Sequence, residues 1–220
     1  IILTGVFFFA GGDLLLVIFA LTTASMFLIV AAYSSNSPFA EVGAGRELLQ
    51  MMAYEPMVLL TAVGFYMVVG SFNVADILVV AKPSIIYLPG VFIGFVFILT
   101  LKFRKSPFDL SMSHHGHQEL VKGLSTEFSG KTLAYMEISH WYENVFLLGF
   151  VYLFIACASW ISVIVAIVVC LFTYFFETFI DNSFARMRWQ TAINSSWIVA
   201  LCIGFANIFV LYFLKLFGII

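Results

Sequence analysis

Apolar runs long enough to cross a lipid bilayer recur along this 220-residue chain. Each holds about 18 to 20 residues, and a helix of that length crosses a hydrocarbon layer roughly 30 Å thick. Hydrophobic residues make up 63% of the chain and charged residues 10%. A soluble domain of this size would leave too much apolar surface in water, so the sequence predicts an all-α, polytopic bundle of membrane helices.

Six complete transmembrane helices are expected, preceded by the end of one more. The first stretch, IILTGVFFFA, is too short to span and follows no basic segment. We interpret it as the tail of a span that begins outside this sequence, which makes residues 1–220 a single transmembrane domain lacking its N-terminus. Breaks rich in Gly, Pro, Ser and Asn separate the complete spans, which are expected at residues 14–32, 48–71, 85–102, 133–156, 160–180 and 196–217.

The basic residues favour one side of the membrane. If successive loops alternate sides, one face carries eight Lys and Arg residues, and the other carries only Lys82 and Lys215. Because cytoplasmic loops are enriched in Lys and Arg, the basic face is predicted to be cytoplasmic. That face includes a long loop, residues 103–132.

This loop and the start of the next span concentrate the polar character of the chain. Residues 102–143 hold ten of the 22 charged residues and all four histidines. A loop of this length favours a docking or other functional role over a plain solvated connection. Leu120, Leu124 and Phe128 lie at fourfold spacing, which indicates helical structure within it.

The loop histidines His114, His115 and His117 allow several interpretations. Adjacent histidines point in different directions and no Asp or Cys stands at a supporting spacing, so a metal site is the least favoured. A polar docking surface or a helix cap is preferred, and proton handling is the alternative because imidazole titrates nearest neutral pH.

Redox centres are not expected in this chain. The three cysteines are far apart and form no Cys-x-x-Cys pair, so neither an iron–sulfur cluster nor a structural zinc site is supported. His140 is the only histidine in or near a span, which argues against a di-haem membrane anchor.

Glu137, His140 and Glu143 follow one another at i, i+3 and i+6 in the helix that enters the fourth predicted span. This spacing gives neighbouring pairs and a broad polar stripe. Ionisable groups in a membrane helix cost several kcal/mol unless they are paired or hydrated. The stripe is therefore either a proton relay or a polar cap at the membrane interface.

A second group of acids lies in the second predicted span. Glu47 and Glu55 are eight residues apart, on similar helix faces, and Pro56 is expected to kink or break the helix beside them. They are candidate ion-path residues; alternatively, Glu47 lies at the interface and Glu55 satisfies a neighbour. Farther along, Glu177 is expected to form an ion pair with Arg186 or Arg188.

Several ordered motifs resemble one family, the membrane subunit beneath the peripheral arm of respiratory complex I (the H subunit of NADH-quinone oxidoreductase), which is shared with energy-converting, Ech-type [NiFe] hydrogenases. In complex I the loop pattern is approximately PFD-L-P-E-A-E, then E-L-V-x-G, then T-E-Y-S-G. The resemblance covers essentially the whole chain and rests on KSPFDL (105–110), QELVKG (118–123), TEFSGK (126–131), GDLLL (12–16), RELLQ (46–50) and AYEP (53–56).

The chain departs from the complex I pattern within the loop. SMSHHGH (111–117) replaces the acidic P-E-A-E segment, and about three extra residues precede Glu119. Two carboxylates are replaced by three imidazoles, which favours the hydrogenase branch.

The resemblance implies a membrane anchor and coupling subunit in the cytoplasmic membrane of a prokaryote, with no redox centre of its own. The NiFe centre and the iron–sulfur clusters would lie in cytoplasmic hydrogenase and iron–sulfur subunits, with ferredoxin as electron donor. Antiporter-like membrane subunits and the lipid bilayer would be further partners; no nucleic acid partner is expected. Glu47, Glu55, Glu137, His140 and Glu143 would couple electron transfer to H⁺ or Na⁺ movement.

The resemblance also implies a surface that docks the peripheral arm. Asp109 could instead cap a helix of the loop. The expected docking residues are Arg104, Pro107, Phe108, Asp109, His114, His115, His117, Glu119, Glu127, Arg186 and Arg188.

Two other functions remain open at this point. A complex I-type subunit would form part of a quinone site. A stand-alone transporter would work as an isolated chain.

Overall fold

The computed structural model describes residues 1–111 and 122–218. In this part of the chain short 3-10 turns lie at Ser84–Ile86 and Gly123–Ser125, and a π-helical segment, Val199–Phe205, lies within the last helix. The α-helices are α1 (Ile2–Phe9), α2 (Leu14–Tyr33), α3 (Pro38–Val69), α4 (Val74–Leu78), α5 (Pro89–Lys102), α6 (Gly130–Ile155), α7 (Trp160–Ser183) and α8 (Trp189–Leu216).

The predicted all-α membrane bundle is confirmed. Five helices are long and apolar enough to cross a membrane, namely α2, α3, α6, α7 and α8. The third predicted span, 85–102, consists of part of a 3-10 turn and the 14-residue helix α5, which is shorter than the others. The count of six spanning helices therefore stays a prediction.

Helix α3 departs most from its predicted bounds, since it begins ten residues before residue 48. Pro38 occupies its first turn, where a missing backbone N–H costs nothing. The added segment contains Glu41, Arg46 and Glu47, which are too polar to suggest a span by hydropathy. The helix also continues through Pro56, so the break that was one of two expected outcomes there does not occur.

The end of the bundle opposite the long loop is held by a short backbone pairing. Asp13 caps α2 by accepting hydrogen bonds from the backbone of Leu15 and Leu16, at 2.8 and 3.4 Å. Asp13 also pairs with Asn73 in an isolated β-bridge, beside the bond from Val74 N to Gly12 O at 3.0 Å. The start of α2 is thereby fixed against the turn before α4.

Aromatic rings fill the centre of the bundle. Phe65 of α3 and Phe154 of α6 lie with ring centroids 4.7 Å apart, and Phe8 of α1 lies 4.7 Å from Phe146 of α6. None of these rings exposes more than 3% of its surface. The second half of α6 thus contributes to the aromatic core, and its polar first half continues to the loop end.

The described parts of the long loop pack closely on α3. A Cβ atom on Gly43 would lie 2.5 Å from the backbone nitrogen of Leu124, so only glycine permits this approach. The same Leu124 N–H donates to the carbonyl of Ser111 at 3.1 Å, which joins the two described ends of the loop. The 3-10 turn Gly123–Ser125 is the helical structure in these parts; the spacing predicted from Leu120 begins outside the described residues.

We expect Gly43→Ala to destabilise the protein, because the new methyl group meets backbone rather than a flexible side chain. The expected loss is about 1 to 3 kcal/mol of unfolding free energy. Gly45→Ala is the matched control: its Cβ would meet only the hydroxyl of Tyr33, at 3.5 Å. Better helix propensity should make that variant neutral or stabilising by about 0.5 to 1 kcal/mol. Thermal unfolding in detergent measures both, and equal effects would contradict the close packing.

Candidate ion-coupling site

Five ionisable side chains meet at the loop end of the bundle, where an apolar protein can hold charge only if it is paired. They come from α3, the end of α5, the start of the long loop, and α6. We call them the ion cluster: Glu47, Lys102, Arg104, His140 and Glu143.

Arg104 is the central member of the ion cluster. Its Nη2 and Nε donate to one oxygen of Glu47, Oε1, at 2.7 and 3.1 Å. The two side chains expose 11% and 4% of their surface, so water screens this pair weakly. Arg104 has a φ of 52°, a backbone conformation that costs a non-glycine residue about 1 to 3 kcal/mol and persists only where contacts hold it.

The charge on Arg104 is secure. Burial acts to lower the pKa of the guanidinium, but the carboxylates of Glu47 and Glu143 outweigh it and hold that pKa above its ordinary value. Arg104 therefore stays positively charged at every pH at which the protein is folded, and a proton exchanged in the cluster must be held by another member.

His140 is the member best suited to accept a proton. Its Nε2 faces Nη1 of Arg104 in a short contact. Because a guanidinium nitrogen only donates, Nε2 must accept, which leaves this nitrogen unprotonated. A proton that binds at Nε2 removes the acceptor and places two positive charges together, so it would force Arg104 to move.

A second ion pair lies beside the first. Nζ of Lys102 is 3.4 Å from Oε1 of Glu143, and the two side chains expose 5% and 7% of their surface. The ammonium group also lies 4.2 Å from the centroid of the Tyr54 ring. Two carboxylates thus balance two cations, with the imidazole as the member able to change that balance.

A cavity of about 390 Å³ opens onto the ion cluster. Arg104, His140 and Glu143 form its polar wall, and Phe27 and Leu28 of α2 are among its apolar residues. Water or a small polar headgroup could therefore reach the imidazole and the carboxylate.

The structure brings together three of the predicted coupling residues, Glu47, His140 and Glu143. Glu55 lines a small apolar cavity with Lys102 and Tyr54, so it lies next to the ion cluster. Glu137 is exposed, and no contact of the described residues joins it to the cluster. Six residues of α-helix turn a side chain by about 600°, so Glu137 and Glu143 lie on different faces of α6. The coupling role of Glu137 stays a prediction.

Sequence reasoning missed the cations of the site. Arg104 was assigned to docking, and Lys102 was counted only as a basic residue of the loop face. Both follow the last apolar residues of α5, where positive charge normally marks the cytoplasmic interface. The signal that could have identified them is the set of membrane carboxylates, since a buried acid requires a cation nearby.

The predicted docking residues fall into different environments. Phe108 and Asp109 expose 4% and 5% of their surface, Pro107 is also buried, and the carbonyl of Phe108 accepts from Nε2 of Gln50 at 2.7 Å. Glu127 and Arg188 are exposed, and Arg186 is half-buried. Their docking role stays a prediction; the remaining docking residues lie outside the described part of the chain, namely His114, His115, His117 and Glu119.

The ion pair expected for Glu177 is wrong. Glu177 is fully buried, and neither of its carboxylate oxygens has a hydrogen-bond partner among the described residues. Nη2 of Arg186 is likewise buried without a hydrogen-bond partner there. Lys105 lies close enough to act on Glu177 electrostatically, but its Nζ donates to the hydroxyl of Thr178 at 3.3 Å.

In residues 1–111 and 122–218, no group of three or more His, Cys, Asp or Glu side chains is arranged to hold a metal ion. The expectation that redox centres lie in other chains stays a prediction.

Comparison with known proteins identifies the family. The model of a family described as NADH dehydrogenase matches residues 3–212. The chain belongs to this family. It is a multi-pass membrane protein, and its relatives are subunits of a multi-subunit oxidoreductase.

Curated relatives are named as the H subunit of NADH-quinone oxidoreductase. The protein of Bacillus cytotoxicus is 29% identical over 207 residues, which cover 86% of this chain and 59% of the relative. That of Carboxydothermus hydrogenoformans is 28% identical over 201 residues, covering 83% and 54%. The chain therefore spans little more than half the length of these relatives.

A solved structure has the same fold. It is a chain from the membrane-bound sulfane sulfur reductase, described as an archaeal respiratory membrane complex. The TM-score is 0.77 at 25% identity, and the match covers 90% of this chain and 70% of that one.

We expect Arg104→Gln to lose about 3 to 5 kcal/mol of unfolding free energy, because it leaves Glu47 buried without its cation. Glu47→Gln added to Arg104→Gln should recover part of the loss. A coupling energy of about 1 to 3 kcal/mol between the two positions is expected from a double-mutant cycle of thermal unfolding. Purely additive losses would contradict the ion pair.

Glu177→Met should stabilise the protein, since it replaces a buried, unpartnered carboxyl group by an apolar side chain of similar size. The expected gain is about 1 to 3 kcal/mol. Glu137→Met, at an exposed position of α6, should change stability by less than about 0.5 kcal/mol. A lower thermal midpoint for the Glu177 variant would show that the carboxyl group has a stabilising partner.

Proposed function

We propose that this chain is the membrane anchor and coupling subunit of a multi-subunit respiratory oxidoreductase, and that the ion cluster links events in a docked peripheral arm to ion movement. The observation that carries this proposal is the position of Arg104. It lies in the first residues of the long loop, yet its partners Glu47 and His140 belong to membrane helices. A displacement of the loop therefore changes the pairing of buried charges.

The contacts suggest the order of events. A proton that arrives at Nε2 of His140 repels Arg104, which can move towards the second carboxylate oxygen of Glu47, Oε2. The positive charge gained at His140 weakens the hold of Glu143 on Lys102. Glu55, which shares a cavity with Lys102 and Tyr54, continues the route along α3.

The order of events can also be reversed, with movement of the loop coming first and proton binding at His140 following it. The carbonyl of Phe108 is held by Gln50, and that of Pro107 accepts from the backbone of Met187 at 2.9 Å. An arm that shifts these contacts pulls on Arg104, which is only a few residues away. The imidazole of His140 then loses its donor and becomes free to bind a proton.

We further propose that the arm is that of a ferredoxin-linked, hydrogen-evolving [NiFe] hydrogenase. The replacement of the acidic loop segment by SMSHHGH supports this branch. The NiFe centre and the iron–sulfur clusters would be held by partner subunits, and antiporter-like membrane subunits would move H⁺ or Na⁺.

A quinone-site role is the second candidate, and two observations favour it. The cavity of about 390 Å³ beside the ion cluster has the size of a small-ligand site, with apolar walls and a few polar groups. The curated relatives are also named for quinone oxidoreduction. In this role His140 and Arg104 would contact the quinone headgroup.

Nickel analysis of the intact complex, purified in mild detergent through a tag on this chain, separates the two candidates. Stoichiometric nickel together with hydrogen evolution supports the hydrogenase proposal. Quinone reductase activity in a preparation without nickel would replace it by the quinone-site role.

We expect His140→Gln and Glu143→Gln each to lower the number of ions moved per turnover, because each removes a group of the ion cluster that can hold a proton. Electron transfer measured with soluble carriers should be far less affected. Glu137→Gln is the control, since Glu137 is exposed and lies outside the ion cluster. The coupling route would be wrong if the cluster variants retained normal ion movement in vesicles.

A further inference from the structure

The inner face of α7 carries a row of polar side chains that lies apart from the ion cluster. Cys170, Thr173, Glu177 and Asp181 follow one another at intervals of three or four residues, so they lie on one side of the helix. The opposite side carries exposed apolar side chains such as Val168. We call these four residues the α7 row. It leads from the middle of the bundle to the loop end, where Asp181 is half-buried.

Glu177 is the member of the α7 row that is hardest to accommodate. It exposes none of its surface, and neither of its carboxylate oxygens has a hydrogen-bond partner among the described residues. It also forms part of the wall of a cleft of about 400 Å³ between α5 and α7, whose other residues are largely apolar, including Phe97 and Phe176. An uncompensated charge in such surroundings costs several kcal/mol. The resting side chain is therefore the neutral acid, which carries a proton.

A cation stands beside this acid but is bound elsewhere. Lys105 lies close enough to act on Glu177 electrostatically, yet its Nζ donates to the hydroxyl of Thr178 at 3.3 Å. The same Nζ lies 5.0 Å from the centroid of the Tyr174 ring. The hydroxyl of Thr178 donates its own proton to the carbonyl of Tyr174 at 3.0 Å, so its oxygen is free to accept from the lysine. Since Glu177 and Thr178 are consecutive residues, a rotation of the flexible lysine stem carries Nζ from one to the other.

The start of the long loop joins this lysine to the ion cluster. Arg104 and Lys105 are neighbours in the chain but reach different helices, because Arg104 pairs with α3 and Lys105 contacts α7. The backbone N–H of Ser106 donates to a carboxylate oxygen of Asp181 at 2.9 Å, which ties the loop to the end of the α7 row. A displacement of the loop that moves Arg104 therefore also moves Lys105.

We propose that Glu177 is a second proton-holding residue of this subunit, and that Lys105 controls its proton. When the start of the loop moves, Nζ of Lys105 leaves the hydroxyl of Thr178 and pairs with the carboxyl group of Glu177, whose O–H bond breaks. The proton passes to the carboxylate of Asp181, one helical turn nearer to the loop end, and from there to water. The reverse movement returns it.

The position of Glu177 supports this role. Ionisable residues inside a membrane bundle commonly mark proton paths, and Glu177 has no hydrogen-bond partner among the described residues of the kind that a structural role requires. The inference rests on the proposed coupling function for the cause of the loop movement. The resting state of the carboxyl group and its response to Lys105 are independent of that function.

Infrared spectroscopy of the intact complex, purified through a tag on this chain, tests the resting state. The wild-type spectrum minus that of Glu177→Gln should show the C=O stretch of a protonated carboxyl group, shifted in D2O. Thr178→Val removes the hydroxyl that holds Lys105 and should lose this band, whereas Lys105→Gln added to Thr178→Val should restore it. Thr132→Val is the matched control, since it removes an exposed hydroxyl of α6. Each variant is compared with the same variant carrying Glu177→Gln.

The same band is then followed during turnover with soluble electron carriers. The wild type should lose the band, and Lys105→Gln should keep it. The proposal is overturned if the resting wild type lacks the band, if Thr178→Val leaves it unchanged, or if Lys105→Gln loses it as the wild type does. Ion movement in vesicles separates the two proposals: if His140→Gln lowers the ions moved per turnover and Glu177→Gln does not, the coupling function stands and the role of Glu177 falls.

Discussion

Pairing of buried charge is the constraint on which the loop end of this protein depends. Glu47, Lys102, Arg104 and Glu143 lie where water is scarce, and each would be costly alone. Their pairing fixes the first half of α6 against α3 and the end of α5. The aromatic core below these pairs adds close packing between α3, α5 and α6. Breaking one of the pairs would leave a buried charge uncompensated, which is strongly unfavourable.

The same arrangement explains how a membrane bundle can respond to a soluble partner. Arg104 is a loop residue, but its side chain pairs with Glu47 of membrane helix α3. Its φ of 52° is unfavourable for a residue other than glycine, so contacts must hold this backbone conformation. The second carboxylate oxygen of Glu47, Oε2, lies on the same group as the oxygen that Arg104 contacts.

The sequence predicted the class of fold well, because hydropathy alone marks α2, α6, α7 and α8. It failed for the first ten residues of α3, where Glu41, Arg46 and Glu47 mask a helix that continues beyond the bilayer. The sequence identified Glu47, His140 and Glu143 as ionisable groups that needed partners. It could not identify Lys102 and Arg104 as those partners, because contacts between residues 36 to 57 positions apart depend on tertiary packing. The same limit applies to Glu177, where the nearest arginines in sequence proved to be the wrong partners.

The bond between Leu124 and Ser111 closes the long loop at its base. The entropy of closing a segment between two such anchors rises by only about 0.6 kcal/mol for each doubling of its length. Evolution can therefore exchange or lengthen this segment without disturbing the helices below. The extra residues and the three imidazoles of this sequence lie between these two anchors, where added length costs the fold least.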